Sequence, residues 1–551
     1  MNTFTPRSSF TLLDRSTAVS RVQSTLEQEL AHDEEAIHQY GGDDPHEPPA
    51  KSERRWTPPT SDPEEITWDG PDDQENPQNW SVRRKWMITA VCIVMTVNVT
   101  FASSAPSSAS VAIMHAFNVS AEVSYLITST FLLGYVFGPL FWGPGSELIG
   151  RRPVFLIAMI MYTILHLGQA LAQNIQTLLV TRFLGGFFAV APLVNAGGVM
   201  ADIWPVETRG LATSMFSASV FLGPVMGPIA AGYIVESSLS WRWVFWVMMI
   251  FAGSCTLITI ICLPETYAPV ILLKKVQARR KADPTGAQHL FAAHEKQDWT
   301  PRGVLHRTLF RPFQMLAGEP ILVLVTIYLS LIYGVMYCLF EAFPIIFMQK
   351  RGFTISQDGL CFIGIGIGTS LGALLNVYFT RNYPTLIKTW RGFPPPEERL
   401  HGAMVGGCAF VVGTFWLGWT GEYPSVPWYV PALSTILVGF SISAIFISFL
   451  SYLVDTYLMY SASAFAANTF CRSLVAAAFP LFTVQMFGAL GVNWAATLLG
   501  GVGLLLAPTP FLFYRYGARV RAGSKYAPCE DLKVAAELAA ERVAATEKSS
   551  V

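Results

Sequence analysis

Charge is what this sequence has little of. Only 14% of its 551 residues are Asp, Glu, Lys or Arg, where soluble globular chains carry about 25%. The formal net charge is −1, so no basic excess exists to hold a nucleic acid, and none is expected as a partner. The eight cysteines stand apart, with no CxxC pair and no Cys/His cluster, which argues against a zinc site and a disulfide frame. Cys92, Cys255 and Cys408 lie in apolar runs and read as small core residues. No GxxxxGK[ST] loop occurs, which argues against ATP hydrolysis at a P-loop. No Ser/His/Asp or metal-ligand constellation stands out either, so neither an enzyme activity nor a bound cofactor is expected. The first residues, MNTFTPRSSFTLLDRST, lack the sustained apolar core of a signal peptide.

Apolar residues fill the space that charge leaves. They make up 52% of the chain, and mean hydropathy is +0.40. A membrane helix needs about 20 mostly apolar residues. Twelve windows qualify: Trp86–Ser104, Val123–Trp142, Val154–Ala172, Leu178–Met200, Leu211–Val235 and Trp243–Leu263, then Ile321–Met348, Leu360–Thr380, Ala403–Trp419, Tyr429–Tyr452, Ser461–Phe487 and Trp494–Tyr514. The fold class is therefore an all-α membrane protein with twelve transmembrane helices in two six-helix halves. The halves run 86–263 and 321–516, with a basic central loop at 264–320 and a C-terminal tail at 517–551. Residues 1–85 are acidic and proline-containing, as in HDEEAIHQYGGDDPHEPP. Such a segment buries too little to offset its ordering entropy and is expected to be a disordered tail.

Lys and Arg in the short loops set the orientation. With the N-terminus inside, the inner segments hold Arg83–Lys85, Arg151, Arg152, Arg209, the cluster from Lys274 to Lys281, Arg381, Lys388, Arg391, Arg399, Arg515, Arg519 and Arg521. The outer loops hold Arg242, Lys350 and Arg351. Both termini are expected in the cytosol. The sequon NVS at Asn118 then lies outside as a glycosylation candidate, whereas NWS at Asn79 lies inside. Two equal halves suggest a duplicated transporter with substrate near the midplane.

Between spans two and three, a short loop reads GPGSELIGRR. It resembles motif A of the major facilitator superfamily, G-x-L-x-D-R-x-G-R-R. Gly143, Glu147, Gly150, Arg151 and Arg152 fall in register, with Glu147 in place of Asp, Gly145 in place of Leu and Leu148 in place of Arg. Glycines there let helix ends approach, and Glu147 can cap a neighbouring helix N-terminus. The arginines can pair with Asp202 and Glu207, or serve topology alone. LLVTRFLGG resembles motif B, with Arg182 at its arginine; a charge inside a span faces a cavity or a partner. The resemblance makes Arg182, with Asp202, a candidate for proton coupling or for anchoring an acid. GPVMGP, with Gly223, Pro224 and Gly227, resembles the antiporter motif C. NPQNWSVRRKW, WRWVFWV, LPETYAPVILLKK and YLVDTYLMYSASAFAANTFCRS together resemble the fungal twelve-span drug:proton antiporters over about 76–516.

That resemblance implies energy from a proton gradient and export of hydrophobic or amphipathic molecules: drugs, fungicides, toxins or a secondary metabolite. The ionisable residues in or near spans are few: Glu122, His166, Arg182, Asp202, Glu341, Asp455 and Arg472. Glu341 is a candidate proton carrier or attractor of a cationic substrate; equally it can bond the backbone at the kink before Pro344. Cavity walls for varied apolar compounds need aromatics and few fixed polar groups. Asn98, Tyr333, Tyr337, Phe340, Glu341 and Asn468 are the candidates, with ordinary packing as the alternative reading. Two other functions fit the same fold: a polyamine exporter, which wants more cavity carboxylates, and a nutrient uptake symporter. The second RxGRR block that sugar porters carry is missing from the loop between spans eight and nine. A monomer in the cell membrane is expected, with the vacuolar membrane as the alternative. The C-terminal DLKVAAELAAERVAATEKSS has helical spacing, and neither tail reads as a folded domain.

Overall fold

The structure is a computed structural model that describes residues 64–205, 208–284, 287–296, 300, 303 and 306–549. Among the described residues, ten stretches are helical, long and apolar enough to cross a membrane. Nine give one spanning helix each: α1 (Val82–Ser104), α2 (Ala121–Ile149), α3 (Arg151–Ala170), α4 (Ile175–Ile203), α5 (Arg209–Glu236), α6 (Arg242–Cys262), α7 (Pro320–Phe343), α8 (Ile355–Thr380) and α9 (His401–Glu422). The tenth, Tyr429–Ala522, is 94 residues long and breaks into three. α10 (Tyr429–Tyr457) ends at Leu458, and Gly491 has φ 76° and ψ 163° inside the run Ser461–Leu506. Only a residue without Cβ takes that backbone cheaply, so α11 covers 461–490 and α12 covers 492–506, prolonged by Thr509–Ala522. This all-helical architecture is consistent with the twelve-span layout read from the sequence.

The halves meet along two seams, α2 against α11 and α5 against α8. Small residues make this contact. A Cβ on Gly359 of α8 would come within 2.7 Å of the Pro228 carbonyl of α5. Gly223 and Gly227 of motif C lie on the other side of α5. A Cβ on Gly223 would lie 2.5 Å from the Val97 carbonyl of α1, and one on Gly227 would lie 2.8 Å from the Ala105 nitrogen. These glycines let α1 and α5 touch backbone to backbone, the usual device of membrane helix packing. The seams also lock at the end away from the basic loop. Ser356 N donates to Glu236 Oε2 at 3.1 Å, and Gln485 Nε2 to Glu122 Oε1 at 3.5 Å.

Two expectations about loops and tails change. GPGSELIGRR is not a loop: α2 runs to Ile149 and α3 starts at Arg151, with Gly150 alone between them. Nor does each of its glycines serve close approach, since space around Gly143 is open. The C-terminal tail is docked. Glu319, buried just before α7, accepts from Ser524 Oγ at 2.6 Å and Lys525 N at 3.0 Å, and Asp531 of the helix Glu530–Ser549 is buried. α12 therefore passes the expected boundary at 516. The disorder expected for the first tail falls on 1–63, outside the described residues. From residue 64 onward the chain packs on the basic helix Ala268–Ala282, where Lys275 meets Asp69 at 2.7 Å and Asp73 at 3.2 Å. All eight cysteines are free, and Cys408, placed in the core above, is exposed.

Candidate functional site

Two sites emerge, one at the basic end of the bundle and one at its centre. At the basic end, Gly150 holds φ +99°, and a Cβ there would press on the Glu265 carboxylate. That carboxylate caps α3: Arg151 N donates to Oε1 at 2.8 Å and Arg152 N to Oε2 at 3.2 Å. An acid on a helix N-terminus meets unpaired N–H groups and the positive end of the dipole. Glu265, not considered from the sequence, thus fills at α3 the role expected for Glu147, which lies half-buried in the last turn of α2. Arg151 Nε pairs with Asp202 at 3.2 Å, and Arg151 Nη1 donates to Ser146 Oγ at 2.6 Å. Arg152 reaches the Ile260 carbonyl at 3.3 Å. Glu207 lies outside the described residues.

The second half repeats this arrangement without the motif. Arg399, just before α9, pairs with Asp455 near the end of α10 at 2.8 Å. In both halves an arginine at the start of the third helix binds an aspartate at the end of the fourth. Beside it, Arg521 donates to Glu397 at 2.8 Å and to Asp531 at 2.7 Å, all three buried. The Glu397 carboxyl is pushed above its ordinary range by burial, against the pull of Arg521.

At the centre, Arg182 on α4 is fully buried. Its Nε donates to the Ile127 carbonyl at 3.0 Å and its Nη1 to the Ala102 carbonyl at 2.9 Å. The sequence explains the second bond. Four residues beyond Ala102 stands Pro106, which has no N–H, so that carbonyl has lost its helical donor. The guanidinium carbon lies 4.1 Å from the Phe131 ring centroid, and Nη2 has no partner. Asp202, grouped with Arg182 from the sequence, is not its neighbour. Twenty residues along one helix separate them, roughly 30 Å, and Asp202 belongs to Arg151.

Arg472 of α11 faces the centre from the other half. It sits 4.8 Å from the ring centroids of both Tyr333 and Phe446. Nε and Nη1 have no partner, and Nη2 makes one long bond of 3.5 Å to Thr469. Tyr337 of α7 joins the halves through a 2.8 Å hydrogen bond with Ser103 of α1, and its ring meets Tyr333 and Phe340 edge-on. Asn98 is buried with both amide atoms unpartnered; Asn468 donates to Thr326 Oγ1 at 3.2 Å while its Oδ1 is unpartnered. Phe340 stacks on Phe362 of α8. The six cavity candidates, Glu341 among them, are all buried, so the centre is closed to solvent. Another face of α7 borders only a small apolar void of about 20 Å³, lined by Val335, Cys338 and Leu339, room for a single water.

Glu341 is also buried, and its Oε1 has no partner. Its electrostatic neighbour is Asp358 in the first turn of α8, likewise buried with Oδ1 unpartnered. Asp358 was not considered from the sequence. It sits four residues after the N-cap Thr354, where an acid ordinarily reads as a helix-start residue.

Residues 91–480 match the family model of the Major Facilitator Superfamily. The chain belongs to that superfamily. Among fungal relatives, it is 42% identical over 467 residues to the citrinin biosynthesis cluster MFS transporter of Monascus ruber, covering 84% of this chain and 92% of that one. It is 40% identical over 465 residues to the ascochitine biosynthesis cluster MFS transporter of Didymella fabae, covering 84% and 89%. An MFS-type efflux pump of Trichophyton rubrum is 41% identical over 468 residues, covering 85% and 78%. Among solved structures, the proton:xylose symporter XylE aligns with TM-score 0.58 at 16% identity, over 82% of this chain and 99% of that one; that likeness shows the fold alone. The superfamily member described here is a multi-pass membrane protein of transporter architecture.

Proposed function

We propose that the chain is a secondary active transporter that exports hydrophobic or amphipathic small molecules in exchange for protons by alternating access. The observation that carries this reading is the identity of 40–42% over 84–85% of the chain to fungal transporters of biosynthesis clusters and to an efflux pump. The geometry supports it. Two six-helix bodies share two seams, one of them lined by glycine, and an aromatic centre lies between them, as rocking around a midplane site requires. Glu341 with Asp358 is the proton-carrying pair of this proposal: two buried acids without a cation partner among the described residues exchange protons more readily than they hold two charges. The transporter acts as a monomer in the cell membrane, needs no cofactor beyond the proton gradient, and carries its glycan at the exposed Asn118. The test is efflux of a hydrophobic fluorescent dye from yeast stripped of its own pumps. Export that collapses with a protonophore, and that Glu341→Gln abolishes at normal surface expression, is the expected result. Export indifferent to the proton gradient defeats the coupling.

A further inference from the structure

We infer that the centre of the bundle binds an organic anion on an aromatic or apolar frame, with Arg182 and Arg472 as the paired anion-binding residues. The inference rests on the transporter reading and names its substrate class. Both guanidinium groups are buried, at 0% and 6% exposure. Among the described residues neither has a carboxylate within ion-pair distance; the buried acids Glu341 and Asp358 neighbour each other instead. Each arginine has at least one nitrogen without a partner, three in all: Arg182 Nη2, Arg472 Nε and Arg472 Nη1.

The rings explain how these charges persist without a counter-ion, and what they leave open. Phe131 stacks on Arg182, and Tyr333 and Phe446 flank Arg472. Ring faces offset part of the desolvation of a cation, but they do not satisfy its N–H groups, and three of these nitrogens stay without a bond. The edge is where a guanidinium receives a carboxylate or another oxyanion. The two arginines come from opposite halves and stand at the ends of one chain of contacts: Tyr333 beside Arg472 meets Tyr337, whose hydroxyl bonds to Ser103, the neighbour of the Ala102 carbonyl that Arg182 holds. An anion bridging them would touch both bodies that must rock, while the surrounding rings would hold its apolar frame. A cationic substrate meets two like charges at the same place.

Three probes on one pyrene frame test this: pyrenebutyrate, pyrenebutanol and a pyrenebutyl trimethylammonium salt. Equilibrium binding to the full chain in lipid vesicles decides the anion site. Pyrenebutyrate should bind at least about tenfold tighter than the alcohol, a difference of ~1.4 kcal/mol, and the ammonium probe weakest. Arg472→Gln and Arg182→Gln should each erase the preference and leave alcohol binding in place. If a variant fails to fold, the ranking of the three probes on the unaltered chain decides alone. Alcohol or ammonium binding as tight as the acid, an acid preference untouched in both variants, or no probe bound overturns the inference. Movement of the probes under an imposed pH gradient is read separately. Acid that binds but never moves defeats the exporter reading and leaves the anion site. Alcohol or ammonium that moves while the acid neither binds nor moves does the reverse.

Discussion

The basic end and the centre of this transporter use the same residue, arginine, in opposite ways. At the basic end Arg151, Arg399 and Arg521 each have an acid at 3.2 Å or closer. At the centre Arg182 and Arg472 have none among the described residues, although they are among the most buried arginines described. A buried pair resists the loss of one partner, because the survivor is left charged and unsolvated. A buried charge without a partner is already in that condition and gains only when a ligand arrives. Pairing marks the parts that hold the halves in shape, and its absence marks the part that waits for something from outside.

The largest effect should come from breaking the paired end. Arg521→Met strands Glu397 and Asp531 and should cost about 3–5 kcal/mol, read as a lowered Tm in detergent. Adding Glu397→Gln and Asp531→Asn to it should recover much of the loss. The same substitution at the centre should have the opposite sign. Arg472→Met removes an unpaired buried charge and should raise stability, by about 1 kcal/mol or more, while transport of the substrate is lost. If both substitutions lower the Tm equally, the contrast between the regions is void.

The smallest effect concerns the exposed acidic segment on the basic helix. The Lys275 hydrogen bond holds the Asp69 carboxyl below its ordinary value of 3.8, and Asp73 is likewise lowered, its two backbone hydrogen bonds and the one from Lys275 outweighing burial. A carboxylate with a depressed folded pKa contributes stability above its unfolded value and loses it as pH falls through the folded one. Lys275 is raised, its three acids outweighing burial, so its contribution is present below its ordinary value and lost only in strong base. Docking of 64–79 should therefore hold through neutral pH and loosen below about pH 4, with only a small shift in Tm, because exposed pairs contribute little. Protease cleavage within 64–79 as a function of pH measures it. Release already at pH 6 contradicts the assignment.

Much of the fold could be read from residues in a row. Apolar length located the spans, with only the α10–α11 break weakly marked, and lysine and arginine spacing separated the loops of the two ends. Arg182 stood out because a charge inside an apolar run is costly. The partners were not legible. Glu265 lies more than a hundred residues from the α3 start that it caps, Asp358 reads as an ordinary helix-start acid, and Arg399–Asp455 carries no motif. The docking of the C-terminal helix was missed for the same reason, since Arg521, Glu397 and Asp531 form a site only in space.

The sequence by itself determined that this chain crosses a membrane as two six-helix halves, because a bilayer demands long apolar segments whose helices satisfy their own backbone. Local composition suffices for that, and the superfamily motifs sit where glycine and charge must appear near helix ends and seams. Only the tertiary structure decided which charges are paired. Pairing depends on distances between helices far apart in sequence, and an arginine looks the same in the chain whether an aspartate or an empty edge awaits it.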